Sequence, residues 1–471
     1  MFRYYQPDQQ EALKALYNSP EWSEVIGDAG VLDHARAGVR TPPAPPSQVT
    51  GIAPYLEQNN GPRVRLELLA GARDAEGLAH EMGSWQHILQ SGEDFPILFL
   101  GLVLTMDCSF RPRCLYCNQG YLPTRMKLDD WIAVLGEAAR PIPPYVYLTG
   151  GEPLALGEEV WGDNGIADTA AKLGCAVNIN TNATLITPLI ALQLVRMGIS
   201  KLHISMDTAD TIVQDELFGA PGRAEAAWRG IANIQIAREI LGVNHPVIHI
   251  NCVLSSRNLF QFPALLKRLL EVRKTRSKAE GPIQQDPVFG DFAFHLIPIG
   301  GLQNDGIRPT AGEWRRFYTE TWDQAEAVWR DYQTSVGILE ADHKSLERQM
   351  PFANPFRRVD HRMTLDEYCE EAARGVYWRS ALASHCYLGP SQAFVLPDGS
   401  QHWCGGHAIR RPAPIGNVLD ASLRQNIRQS AARLAALPTN ECTGCAGATC
   451  VINQSIETTL VGRVTEWLNE G

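Results

Sequence analysis

A chain of 471 residues is two to three times a typical domain length, so it reads as one core with appended modules rather than a small binding module. Its 45% hydrophobic, 20% charged and 8% aromatic residues place it among globular proteins and exclude disordered, collagenous and coiled-coil classes. Lys and Arg number 42 against 52 Asp and Glu, a net charge of −10, so no global field recruits nucleic acid or an anionic membrane.

The first residues, Met1 to Asp8, show no basic start followed by an apolar run, so no secretory signal is read there. The longest apolar run, Phe95 to Met106, is broken by Pro96 and Gly101 and is too short to span a membrane. A cytoplasmic protein with no membrane and no nucleic-acid partner is expected. Residues 1–94 contain a short helix over Pro7 to Tyr17, a stiff stretch from Thr41 to Pro46 and a mixed segment with Arg63 to Leu69. They carry no chemical motif and read as a packing or docking extension.

From Ile97 short β-branched runs alternate with longer helical patterns. Strands are predicted over Ile97–Thr105, Tyr145–Leu148, Ala176–Asn180, Lys201–Met206, Val247–Val253 and Phe292–Ile297, with helices near 127–139, 165–173, 187–197, 222–241, 258–272 and 311–331. Six strand-then-helix units over residues 95–333 predict an α/β fold with a parallel sheet, closed or partly closed into a barrel, with its chemistry at the C-terminal strand ends. Lys267, Arg268, Arg273, Lys274, Arg276 and Lys278 read as a solvated insertion. Residues 334–385 read as a charged helical bridge. The tail, 386–471, opens on a hairpin over Ala393 to Ser400, whose Pro-Asp-Gly is a turn signal.

The eleven cysteines are unevenly spread, and in a reducing compartment clustered cysteines point to metal or redox work. Cys108, Cys114 and Cys117 fall on one loop directly after the first strand. Three thiolates so placed can hold three irons of a [4Fe–4S] cluster and leave the fourth iron open, while zinc is the alternative for a C-x2-C half-site. At the end of the second strand stands Thr149-Gly150-Gly151-Glu152-Pro153, where two residues without Cβ let a ligand approach the backbone and proline stiffens the exit.

Together these motifs resemble the radical S-adenosylmethionine (SAM) superfamily, whose fold is a partial (β/α)6 TIM-like barrel with the cluster loop after the first strand. The resemblance covers about residues 97 to 300. It implies Cys108, Cys114 and Cys117 as cluster ligands and Tyr116 as the aromatic residue near the adenine. Gly150, Gly151, Glu152 and Pro153 match the motif that contacts the methionyl amino group. Asn180, Asn182, Ser205 and Asn251 look like further cofactor contacts, and Asp207, at a strand end, is a candidate catalytic residue. One departure is the spacing: C-x5-C-x2-C stands where the superfamily usually has C-x3-C-x2-C, and the longer first half includes Pro112.

Cys386, Cys404, Cys442 and Cys445 resemble the C-terminal extension called SPASM, or its shorter version, twitch, and imply one auxiliary [4Fe–4S] cluster. A structural zinc site is the alternative there. Cys450 is left over, and Cys175, Cys252 and Cys369 read as core residues. The resemblance implies SAM as cofactor, an electron donor such as flavodoxin or ferredoxin, and abstraction of a substrate hydrogen by a 5′-deoxyadenosyl radical. A ribosomally made peptide is the expected substrate. A small molecule such as an aminocyclitol or sugar is the alternative, and a non-catalytic zinc-binding protein is the distant one.

Overall fold

The six apolar runs form six parallel strands: β1 (Phe99–Thr105), β2 (Tyr145–Gly150), β3 (Ala176–Thr181), β4 (Lys201–Ser205), β5 (Val247–Leu254) and β6 (Phe292–Pro298). The computed structural model describes all residues except 72–73, 93, 118, 121, 123, 274–291, 301, 347–363, 376–384, 411–412, 440–441, 443–446 and 471, with backbone alone at 292–293, 302–303, 409–410 and 447–451. The strands lie side by side in the order β6-β5-β4-β3-β2-β1. The helices Leu128–Ala138, Ile166–Lys172, Pro188–Arg196, Arg223–Leu241 and Phe262–Val272 fill the expected intervals.

Side-chain alternation along the strands shows which face is covered. Val146, Leu148, Val177, Ile179, Leu202, Ile204, Ile248 and Ile250 are fully buried. Of the residues between them, Tyr147, Thr149, Asn180, His203, Ser205 and His249 are half-buried, while Asn178 is fully buried. A sheet covered on both faces would be apolar at nearly every position. Here the helices cover one face and the other stays polar and partly open, as in an open partial barrel.

The tail hairpin forms, and it continues the same sheet. β7 (Gln392–Val395) runs parallel to β1, with Leu100 opposite Ala393, and β8 (Ser400–His402) and β9 (Gly416–Asn417) follow antiparallel. β1, at the edge of the six-stranded pattern, is therefore an interior strand. The side chain of Arg424 clamps this join. Only 4% exposed, it donates to the carbonyls of Phe95 (2.9 Å), Glu137 (3.0 Å) and Arg140. The Glu137 carboxylate in turn accepts from the Leu423 and Arg424 amides at the start of the helix Leu423–Gln429.

Residues 1–94 pack against two different regions. Trp22 Nε1 donates to Asn233 Oδ1 (2.9 Å) in the helix Arg223–Leu241, and the helix Gln48–Ala70 lies on the C-terminal helix Gly447–Glu470, where Arg463 Nε meets Glu57 Oε1 at 2.7 Å. The bridge 334–385 holds the helix Leu365–Ala373 among the described residues. Of the basic stretch, Lys267 and Arg268 are exposed as expected, but Arg273 is buried with its guanidinium over the Tyr332 ring at 5.8 Å. Its apolar stem and delocalised charge suit that contact better than bulk solvent suits them. Lys274, Arg276 and Lys278 lie outside the described residues. Among the described residues no helix is long and apolar enough to cross a membrane.

Candidate active site

Cys108, Cys114 and Cys117 sit on the loop that leaves β1, each half-buried. Its start is tied to the end of β2: Gly151 N donates to Thr105 O (2.7 Å) and Glu152 N to Asp107 O (2.9 Å). The paired glycines are what permit this. A Cβ on Gly150, whose φ is +143°, would meet Thr105 O at 2.2 Å, and one on Gly151 would meet Asp107 O at 1.9 Å. The sequence suggested that these glycines admit a ligand; in the structure they admit the cysteine loop itself. Gln119 closes the far end by donating to Gly150 O (2.8 Å).

The lengthened half of the loop, Ser109 to Arg113, runs to the helix Arg223–Leu241. Arg223 donates to the carbonyls of Arg111 (2.9 Å) and Pro112 (2.8 Å) and lies over the buried Phe110 ring at 4.2 Å. The two extra residues thus form an anchored arm.

The thiols feel one another. Burial raises the Cys108 and Cys114 thiols above the ordinary value, and nearby negative charge raises them further: Glu152 and then Cys117 at Cys108, Asp207 and then Cys108 and Cys117 at Cys114. Three sulfurs whose charges oppose one another are a donor set that bound cations relieve, which fits a cluster held by thiolates. Cys108 Sγ also accepts from Phe110 N (3.5 Å) and lies 3.9 Å from Asn182 Nδ2.

The other predicted residues fall into two groups. Asn180, Asn251 and Ser205, joined by Thr149, which was not predicted, line the concave face on β2 to β5. Asn251 Nδ2 donates to Asn180 Oδ1 (3.1 Å), Asn180 Nδ2 reaches Thr149 Oγ1 (3.3 Å), and Ser205 is in register with Asn251. Glu152 and Asp207 are fully buried and turned into the protein. Glu152 accepts from Leu154 N (3.1 Å), Thr181 Oγ1 (2.8 Å) and Asn182 N (2.8 Å), and burial pushes its carboxyl up to about 7. Pro153, also buried, starts the short turn after it. Asp207 accepts from Tyr116 Oη (2.7 Å), Gln214 Nε2 (3.1 Å) and Val253 N (2.8 Å), and burial pushes it up to about 6. Both carboxylates fasten loops, and the Tyr116 ring is held through its hydroxyl.

Three histidines on neighbouring strands complete the concave face. His203 stacks on His249 at 4.1 Å between centroids, and His249 meets His295 edge-on at 6.2 Å. Burial lowers His249 to about 3 and His295 to about 4 and takes His203 well below its ordinary value, so at neutral pH all three are uncharged. No motif marks these histidines, but alternation does: Lys201, His203 and Ser205, then His249 and Asn251, all stand two apart on one strand face. Across from them Phe394 of β7 stacks on Phe99 (5.4 Å) and forms an apolar wall with Val103, Met106 and Leu396.

In the tail, Cys386, Cys404 and Cys442 converge. Cys404 is pushed up to about 12 by burial and by the charges of Cys386 and Cys442, and its Sγ accepts from His407 N (3.4 Å). Cys386 lies 3.8 Å from Asn453 Nδ2, and Cys442 accepts from Thr439 N (3.3 Å). Cys445 lies outside the described residues, as does the side chain of Cys450. Cys175, Cys252 and Cys369 are fully buried, as expected of core residues.

Comparison with known proteins matches residues 102–250 to the Radical SAM superfamily. The chain is 29% identical over 214 residues to an AdoMet-dependent heme synthase of Methanosarcina barkeri, covering 44% of this chain and 53% of that protein. It is 27% identical over 246 residues to the mycofactocin maturase MftC of Mycobacterium tuberculosis, covering 45% and 58%. The chain thus spans about half the length of the curated relatives it matches. Among solved structures, Streptococcus suis SuiB bound to the precursor peptide SuiA superposes with a TM-score of 0.47 at 15% identity, over 75% of this chain and 70% of that one. The cysteine loop pinned to the Gly150–Gly151 turn lies within the segment that matches the Radical SAM superfamily, a superfamily that uses SAM and a [4Fe–4S] cluster.

Proposed function

We propose that this protein is a radical SAM enzyme that abstracts a hydrogen atom from an uncharged part of a ribosomally made peptide, leading to a crosslink, an epimerisation or an oxidation. The observation that carries the reading is the three mutually opposed thiols of Cys108, Cys114 and Cys117, pinned at the mouth of a half-barrel whose concave face is polar and open. When bound, the cluster and SAM supply the 5′-deoxyadenosyl radical. The chain's own part is to bind and to exclude water. Asn180, Asn251, Ser205 and Thr149 offer hydrogen bonds at the strand ends, within reach of the loop's side of the sheet. The neutral His203, His249 and His295 provide donors and acceptors without net charge, and Phe99, Phe394 and Val103 offer an apolar wall opposite. A face of this composition suits a peptide's amide groups and apolar side chains.

Cys386, Cys404 and Cys442, with Cys445 as fourth ligand, are proposed to hold one auxiliary [4Fe–4S] cluster, which four thiolates would coordinate fully and suit to electron transfer. Similarity to a protein named for heme synthesis favours a second reading, in which the substrate is a small molecule and the product its oxidised form.

Anaerobic reconstitution tests the chemistry. About eight irons per chain are expected for two cubane clusters, together with 5′-deoxyadenosine on addition of SAM and reductant. Joint replacement of Cys108, Cys114 and Cys117 by alanine should remove about half the iron and all SAM cleavage; colourless protein holding zinc and no sulfide overturns the proposal. Incubation with precursor peptides and with cyclitols or sugars then separates the two substrate readings by which of them changes mass.

A further inference from the structure

Away from both cysteine groups, three side chains from distant parts of the chain converge on one point. His80 of the helix Ala75–Met82, His385 and Glu457 of the C-terminal helix each bring a donor atom to within 4.8 Å of the others. His80 Nε2 stands 3.0 Å from Glu457 Oε1, and the two imidazole centroids are 3.4 Å apart. Both His80 and Glu457 are about two-thirds shielded, with side chains 32% and 28% exposed. Nδ1 of His385 is shut away from solvent with no hydrogen-bond partner among the described residues.

Two imidazoles and a carboxylate thus bring three donor atoms into one small volume. Donor atoms about 2.1 Å from a tetrahedral ion stand about 3.4 Å from one another, the scale of this group. Two histidines and one glutamate are borderline-hard nitrogen and oxygen donors, which favour a divalent first-row cation and leave a coordination position for water.

We propose that His80, His385 and Glu457 bind a divalent first-row transition cation, with Zn2+ as its probe, and that the ion fastens the segment entering the tail cysteines to the N-terminal and C-terminal helices. Asn453, one turn before Glu457, already holds the other side of that segment: its Oδ1 accepts from Tyr387 N (2.7 Å) and its Nδ2 approaches Cys386 Sγ. The ion and Asn453 together grip the chain on both sides of Cys386. Binding of the ion stands on these three residues alone; only its consequence for Cys386 rests on the auxiliary-cluster reading.

The test uses the full chain, anaerobically reconstituted and equilibrated with Zn2+. Elemental analysis should find one zinc per chain beyond the iron. Absorption at the zinc edge, which iron does not obscure, should show nitrogen and oxygen neighbours at about 2.0–2.1 Å and no sulfur at about 2.3 Å. Glu457→Gln keeps the side chain's size and should weaken zinc binding about tenfold or more, with iron content and circular dichroism unchanged; His80→Ala should do the same. Should His80→Ala fail to fold, Glu457→Gln decides. Absence of bound zinc, or equal zinc in wild type and Glu457→Gln, overturns the proposal. Failure of the proposed enzymatic reading is distinguishable: SAM cleavage would be missing, and zinc held by the cysteines would add a sulfur shell that Glu457→Gln leaves unchanged, while the zinc lost in that variant is the nitrogen- and oxygen-bound one.

Discussion

At the scale of single residues, burial decides what the candidate groups do. Asp207 and Glu152 were legible as strand-end residues, but nothing local in their surroundings marks either as sealed off, because depth depends on what packs over a strand end. Both carboxyls are raised, Asp207 from 3.8 to about 6 and Glu152 from 4.5 to about 7, chiefly by loss of solvent. A carboxyl that holds its proton more tightly folded than unfolded adds stability below about pH 4, and that increment disappears as pH rises through the folded value. Asn at position 207 does not titrate. The stability gap between wild type and Asp207→Asn should therefore fall by about 1–2 kcal/mol from pH 5 to pH 7.5, read from thermal unfolding at each pH. A gap that is flat over this range means that Asp207 does not change protonation there.

At the scale of elements, the β1–β2 junction is set by the absence of two side chains. Gly151→Ala places a methyl group on the Asp107 carbonyl, a backbone atom that cannot swing away. It should cost about 3 kcal/mol or more and lower the iron held by the cysteine loop. Gly136, in the helix Leu128–Ala138, has open space where its Cβ would be, so Gly136→Ala should gain about 0.5–1 kcal/mol with iron unchanged. If both variants melt and load alike, the close approach is not the reason for the paired glycines. Strands β1 to β6 and their helices were readable to within a few residues because apolar periodicity is a local property. The grouping of the concave histidines was not legible, because neighbouring strands bring them together across more than forty residues of sequence each, and register is a property of pairing. The convergence of His80, His385 and Glu457 was beyond sequence reading for the same reason.

At the scale of the whole molecule, the tail belongs to the central sheet. Arg424→Ala leaves the carbonyls of Phe95, Glu137 and Arg140 without a buried donor and should cost about 2–4 kcal/mol, with earlier protease cleavage in the tail than in the barrel. Uniform cleavage and an unchanged melt would show that the clamp is dispensable. A chain ended after residue 385 exposes Phe99–Leu102 as an unpaired edge and should precipitate or fail to retain the first cluster; a soluble, iron-loaded truncation would contradict this. The position of β1 also bears on manufacture. Its second neighbour, β7, emerges from the ribosome roughly 290 residues after Thr105, a delay of roughly 15 to 60 s at ordinary elongation rates. For that interval the strand that leads into the Cys108 loop has one partner and one bare edge, so iron delivered early meets a half-built seat. On the proposed two-cluster reading, loading should accordingly follow chain release, and the two cysteine groups should fill as a pair rather than in the order in which they are synthesised.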